Sequence, residues 1–386
     1  MMRFAQRMSR LGTETAFEVL ARARQLEREG REIVHLEIGE PDFDTPKHII
    51  DAACEALNSG FTHYGPSAGD MELRETIAEH IATSRGVETK ADEVVVVPGA
   101  KPIIFFGIMA CVDEGDEVIY PNPGFPIYES MINFVGAKPV PAPLREKHEF
   151  RLDAGELASL VTPKTSMIII NSPQNPTGGV LTKEDLDAIA EVAIANDIIV
   201  MTDEPYEKVL YEGTHHSILG VPGMKERTIL IDGFSKSFAM TGWRLGYGVM
   251  PKELADAVAK LQTNSNSCVA AFSQRAGIAA LKGPMGPSEA MVAEFKRRRD
   301  VIVDGLNDIP GISCLRPHGA FYVFPNITET GFDCRTLAKK CMEEAGVAVL
   351  AGTAFGEYGE GYLRMSYANS VENIQKALAS IKAMLA

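Results

Sequence analysis

Asp232-Gly-Phe-Ser-Lys-Ser-Phe-Ala-Met-Thr-Gly-Trp-Arg-Leu-Gly-Tyr247 follows a β-branched run, Thr228 to Asp232, and holds one lysine, small hydroxyls and, eight residues beyond the lysine, an arginine. Lysine is usually a solvated surface residue. Lys236 sits instead among Phe234, Phe238, Met240 and Trp243, where burial favours the neutral amine over the ammonium. A neutral amine can form a Schiff base. Ser235, Ser237 and Arg244 add hydroxyl donors and a fixed cation of the kind a phosphate needs. Taken alone, the run is equally compatible with a buried lysine beside a structural arginine.

Working outward, short β-branched runs alternate with helix-period segments: Val94 to Val97, Glu117 to Tyr120, Met167 to Ile170, Ile198 to Thr202, Thr228 to Asp232 and Leu245 to Val249. Such alternation predicts an α/β fold on a mostly parallel sheet. One intervening helix has Thr182 as N-cap, Asp185 three residues on, and Leu186, Ile189, Ala193 and Ile194 on one face. Ligands bind at strand ends in such sheets, and two ends are rich in polar groups. Asn171-Ser-Pro-Gln-Asn-Pro-Thr-Gly178 follows one strand and Asp203-Glu-Pro-Tyr206 another. A carboxylate there can keep a ring nitrogen protonated, and an asparagine amide and a tyrosine hydroxyl can bond a ring oxygen. The plainer readings are a turn and an Asx turn. Pro98-Gly-Ala-Lys101 precedes a helix-like segment, Pro102 to Met109. Amides at a helix start bind phosphate, and Gly99 permits close approach.

The length of 386 residues with 45% hydrophobic content allows two domains, or one with a satellite. After about residue 285 the pattern changes to a charged helical stretch (Glu294 to Asp300), strands near Phe321 to Phe324 and Tyr362 to Ser366, and a closing helix capped by Ser370 with Val371, Ile374, Leu378 and Ile381 on its stripe. The expected division is a large domain over 46–284 and a small α+β domain from 1–45 and 285–386, the first segment forming an N-terminal arm. A net charge of −14 argues against nucleic-acid and anionic-membrane surfaces. An acidic chain can still hold a basic pocket. The six cysteines are scattered without metal-ligand spacing, so reduced thiols and no metal are expected. Arg3, Arg7 and Arg10 lack the apolar core of a secretory signal, and no run approaches the roughly 20 apolar residues of a membrane span. The expectation is a soluble, cytoplasmic protein. No G-x-G-x-x-G follows a strand, which disfavours a Rossmann dehydrogenase.

Gly39-Glu-Pro-Asp-Phe-Asp-Thr-Pro46, Tyr64-Gly-Pro-Ser-Ala-Gly69, Pro98-Gly-Ala-Lys101, Asn175-Pro-Thr-Gly178, Asp203-x-x-Tyr206, Ser235-Lys236 and Leu363-Arg-Met-Ser366 stand in this order along the chain. In that order they resemble the class I, fold-type I aminotransferases that use pyridoxal 5'-phosphate (PLP), in the branch similar to aspartate aminotransferase. The resemblance implies a large domain with a seven-stranded, mostly parallel sheet flanked by helices, and a smaller α+β domain. It implies a ping-pong exchange of an amino group between an L-amino acid, aspartate- or glutamate-like with broader tolerance, and a 2-oxo acid. Lys236 would carry the cofactor as a Schiff base, Asp203 would pair with the pyridine nitrogen, and Asn175 and Tyr206 would contact the ring's 3-oxygen. Phosphate contacts would come from the backbone of Gly99, Ala100 and Lys101, from Ser235 and Arg244, and from Tyr64 of a second subunit in a homodimer with shared sites. Phe125 would stack on the ring, where close aspartate enzymes have tryptophan. Arg364 would grip the substrate's α-carboxylate with help from Gly39 and Asn175. Lys101 would meet a distal carboxylate, although the threonine that assists it in those relatives is replaced by Ala16, with Thr15 adjacent. A β-lyase, decarboxylase or synthase on the same cofactor, or a PLP-binding regulator without turnover, are the alternatives.

Overall fold

A computed structural model describes residues 2–386. In chain order the strands are β1 (Val34–His35), β2 (Val94–Val97), β3 (Glu117–Asn122), β4 (Lys138–Pro143), β5 (Thr165–Asn171), β6 (Ile199–Asp203), β7 (Thr228–Gly233), β8 (Gly246–Val249), β9 (Tyr322–Val323), β10 (Val347–Ala348), β11 (Leu350–Ala351) and β12 (Leu363–Ser366). Seven of them form one sheet in the order β2-β8-β7-β6-β5-β3-β4. β8 runs antiparallel to both neighbours, and the other pairs are parallel. Both faces of this sheet are covered. Val95 and Val97 enter one apolar cluster while Val94 and Val96 enter another, which is why β2 is a continuous valine run rather than an alternating one.

The sequence pattern predicts six of the seven strands and omits β4, whose Lys-Pro-Val-Pro-Ala-Pro reads as a non-strand. Its position explains the exception. β4 is an edge strand, and the amides of Lys138 and, just beyond it, Leu144 donate to Asp116 and Asn122 beside β3. Pro139, Pro141 and Pro143 occupy the alternate positions, whose nitrogens face outward. The missing N–H groups therefore cost no ladder bond, and the outer edge presents no donors to a foreign strand.

The helix Lys183–Ala195 opens with the expected box: Thr182 Oγ accepts from the Asp185 amide at 3.2 Å, and the Asp185 carboxylate accepts from the Thr182 amide at 2.8 Å. Leu186, Ile189 and Ala193 are buried, but Ile194, expected on the same face, is 42% exposed. It lies roughly 90° around the helix from the centre of the buried stripe. The charged stretch after residue 285 is part of a longer helix, Gly286–Asn307. It packs against the closing helix Val371–Leu385, which Ser370 caps. β9, β11 and β12 form a small antiparallel sheet, and β1 pairs with β10. Phe295, Phe321 and Tyr367 centre the apolar cluster here, which reaches Tyr206 and Val209 just beyond β6. Among the described residues no helix is long and apolar enough to cross a membrane.

A buried ionic cluster ties the ends of β6 and β7 together. Arg85, its side chain 1% exposed, donates to Glu204 at 3.0 Å and Asp232 at 3.1 Å and reaches Glu207 at 3.3 Å. His80 lies beside Glu207 and Asp232, but the guanidinium already supplies the positive charge there. Ser217 and His215 complete the shell of Glu204. Glu204 adjoins Asp203, and Asp232 lies four residues before Lys236. Arg85→Leu removes the cation shared by three carboxylates, leaving Glu207 with Lys208 and Glu204 with Thr202, Ser217 and His215, and is expected to cost about 3 to 5 kcal/mol. Calorimetry checks it: an unchanged Tm contradicts the assignment.

Candidate active site

A cavity of about 550 Å³ opens at the carboxyl ends of β5, β6 and β7 and is roofed by residues from β9 to β12. Lys236 reaches it from the turn after β7, and its Nζ donates to the Gly39 carbonyl at 2.5 Å. The amine lies 5.8 Å from the centre of the Phe321 ring. Burial pushes the Lys236 pKa down to about 8, against the pull of Glu40, and the positive charges of Arg364, Arg244 and Lys101 add to the depression. The amine is buried as expected, but the ring beside it is Phe321; Phe234, Phe238 and Met240, the neighbours in sequence, pack in a separate apolar cluster and do not line the cavity.

Asp203 ends β6, and burial raises its pKa to about 6, opposed by a hydrogen bond from Tyr128 at 2.5 Å. The sign is informative. A carboxyl whose folded pKa is raised loses stability as pH climbs from 3.8 to about 6, so at neutral pH the chain holds a costly anion facing the cavity. A cationic N–H in the cavity relieves that cost. Asn171 fixes the geometry behind it: its amide donates to the Asp203 carbonyl at 2.7 Å, and its side-chain oxygen accepts from the Asn175 amide at 2.9 Å. Asn175 Oδ1 is buried with no partner. Tyr206 shares a 2.7 Å hydrogen bond with Tyr322, and burial drives its pKa well up.

Arg364, on β12 and 3% exposed, lies over the rings of Tyr322 at 4.6 Å and Phe355 at 5.1 Å. One of its amino groups donates to the Glu37 carbonyl, while Nε is buried without a partner. Desolvation pushes its pKa down. An aromatic-stacked cation with a spare donor is suited to a carboxylate.

At the other end, the helix Lys101–Cys111 starts on the cavity at Ala100 with no side-chain cap. Gly99 lies behind that turn with φ +80°, and a Cβ there would meet Arg244 Nη2 at 2.2 Å. Ser235, Arg244 and Phe125 line the cavity; Ser237 does not and is buried with an unpartnered hydroxyl. Lys101 also lines it, but its ammonium is held by Glu14 and lies 5.1 Å over Phe125. Tyr64 is 91% exposed and lies outside the cavity. Asn171, which positions Asp203 and Asn175, opens the polar run singled out in the sequence but is given no role there; Tyr128 and Tyr322, which bond Asp203 and Tyr206, carry no signal that singles them out, and neither does Glu14.

This set of groups suits PLP: an uncapped helix start with Arg244 and Ser235 for a phosphate, a buried anion for a ring nitrogen, an asparagine side-chain N–H and a tyrosine hydroxyl for a ring oxygen, and a depressed lysine for a carbonyl carbon. Fold and site together define a fold-type I, PLP-dependent transaminase. Residues 31–381 match the family described as aminotransferase class I and II, and the chain belongs to that family. It is 43% identical over 359 residues to an aspartate aminotransferase of Pyrococcus abyssi, covering 92% of each chain. It is 41% identical over 357 residues to aromatic-amino-acid aminotransferase 2 of Thermococcus litoralis, covering 92% of each. A solved structure of aspartate aminotransferase from Thermus thermophilus with maleate superposes with a TM-score of 0.95 at 38% identity, covering 100% of both chains.

Proposed function

We propose that this aminotransferase acts on aspartate- or glutamate-like amino acids and their 2-oxo acids, and tolerates neutral and aromatic side chains as well. The observation that carries this is the pairing, in one cavity, of a depressed amine, Lys236, with a buried and incompletely satisfied cation, Arg364. An α-amino acid has the two groups that such a pair can grip. Relatives named for aspartate and for aromatic amino acids support the breadth. When bound, PLP supplies the carbonyl that exchanges the amino group and the ring that withdraws electrons from the substrate's Cα. Lys236 holds the cofactor and, once free, moves the Cα proton. Asp203 holds the positive charge of the ring nitrogen, supported by Tyr128, and Tyr206 and Asn175 orient the ring. Gly99, Ala100, Lys101, Ser235 and Arg244 anchor the phosphate, and Phe125 covers the ring. Arg364, with Gly39 and Asn175, fixes the α-carboxylate. The same cavity receives the amino acid and then the 2-oxo acid, so ping-pong kinetics follow.

The reading extends to a cytoplasmic homodimer in which the exposed Tyr64 completes the phosphate site of the other subunit, and to a large domain over 46–284 with 1–45 and 285–386 as the small one. The decisive experiment mixes holoenzyme with single amino acids and follows cofactor absorbance and 2-oxo acid. Stoichiometric 2-oxo acid with the cofactor left as its amine form is expected. Ammonia or carbon dioxide release instead places the chain with the lyases or decarboxylases.

A further inference from the structure

Among the cations of the cavity stands a carboxylate that the transamination scheme does not use. Glu14 occupies the N-cap of the helix Thr15–Arg28, where a side-chain oxygen ordinarily accepts a hydrogen bond from the first free amides. It makes no cap bond. Its carboxylate turns instead onto the Lys101 ammonium, which also lies over the face of Phe125. Both side chains line the cavity that contains Lys236 and Arg364, and the negative charge of Glu14 acts on Arg364 and Tyr322 across it. Neighbouring wall residues such as Ile104 and Phe355 are apolar and buried. The pair is partly enclosed, with Glu14 at 24% and Lys101 at 41% side-chain exposure.

We propose that Glu14 is a specificity-determining residue, a resident counter-ion that neutralises Lys101 when the substrate side chain is uncharged and opposes the second carboxylate of a dicarboxylic substrate. This rests on the reading that substrates bind with their α-carboxylate on Arg364. A neutral or aromatic side chain then enters beside a pair of zero net charge and along apolar walls. A distal carboxylate reaches Lys101 only by displacing Glu14, and brings a second negative charge to a partly desolvated place where like charges repel strongly. Glu14 therefore sets the balance between the two substrate classes. Lys101 alone would favour the dicarboxylates.

The test uses holoenzyme and two unreactive acids: maleate, with two carboxylates, and hydrocinnamate, with one carboxylate and an aromatic ring. Their Kd values are read from cofactor absorbance and calorimetry. Glu14→Gln removes the charge and keeps the shape. It is expected to lower the maleate Kd relative to the hydrocinnamate Kd by about tenfold, the size of one modest charge interaction. Glu14→Ser, which offers the helix a normal cap, is expected to shift the ratio the same way and guards against a folding artefact of the first variant. Lys101→Met is expected to shift it in the opposite direction. An unchanged ratio, or one that moves against maleate in both Glu14 variants, overturns the proposal and leaves Glu14 as a strut for Lys101. Because neither acid is turned over, failure of the amino acid panel would refute the transamination substrates while this ratio still decides the role of Glu14.

Discussion

Lys236→Ala is expected to lower kcat/KM for every amino donor by about 10⁴-fold or more, the scale seen when a group that serves as both nucleophile and base is removed. Lys236 is the amine whose pKa burial brings down to about 8 inside the cavity. Borohydride treatment of the parent holoenzyme should fix the cofactor to the peptide containing residue 236, and the variant should carry no lysine adduct. An adduct that survives in the variant sinks the assignment. The apo-chain offers a second readout. With a folded pKa near 8 against 10.5 in water, the unfolded chain binds more protons between those values, so stability rises with pH across that window. Below about pH 8 the full penalty of a buried ammonium is present. Lys236→Ala should remove this slope. The same variant tests the shared site: mixed with Tyr64→Phe protein, a heterodimer regains one intact site only if Tyr64 serves its partner. Activity no higher than the mean of the two parents would mean unshared sites.

Arg364→Leu is expected to cost about 2 to 5 kcal/mol of transition-state binding, the range for truncating one partner of a buried, hydrogen-bonded ion pair, or roughly 30- to 5,000-fold in kcat/KM. The loss should be similar for aspartate and for aromatic donors, because the α-carboxylate is common to all. Arg364→Lys should recover little: an ammonium cannot reproduce the planar fork stacked on Tyr322 and Phe355. Tm should not fall as is expected for Arg85→Leu, since removing Arg364 also removes a desolvated cation. Steady-state kinetics on the two donor classes check the first claim, and a loss confined to acidic donors would move Arg364 from the α-carboxylate to the side-chain pocket.

What the sequence determined was local. Strand and helix alternation, the valine run of β2, the Thr182 cap, and the placing of Asp203 at a strand end and of Lys236 and Asn175 just after strands are all written in contiguous residues, because period and cap chemistry act over a few positions. β4 escaped that reading because its prolines are permitted only by its edge position, a property of neighbours rather than of the strand. Ile194 points away from the core because helical angle, not hydrophobicity, decides burial. The tertiary structure alone decided which groups meet. Tyr128 bonds Asp203 across a separation of 75 residues, Tyr206 bonds Tyr322 across 116, and Glu14 holds Lys101 across 87. No local pattern encodes such pairs, since each partner is an ordinary residue in its own segment and acquires its charge environment only when the sheet ends, the first helix and the β9–β12 layer enclose a common space.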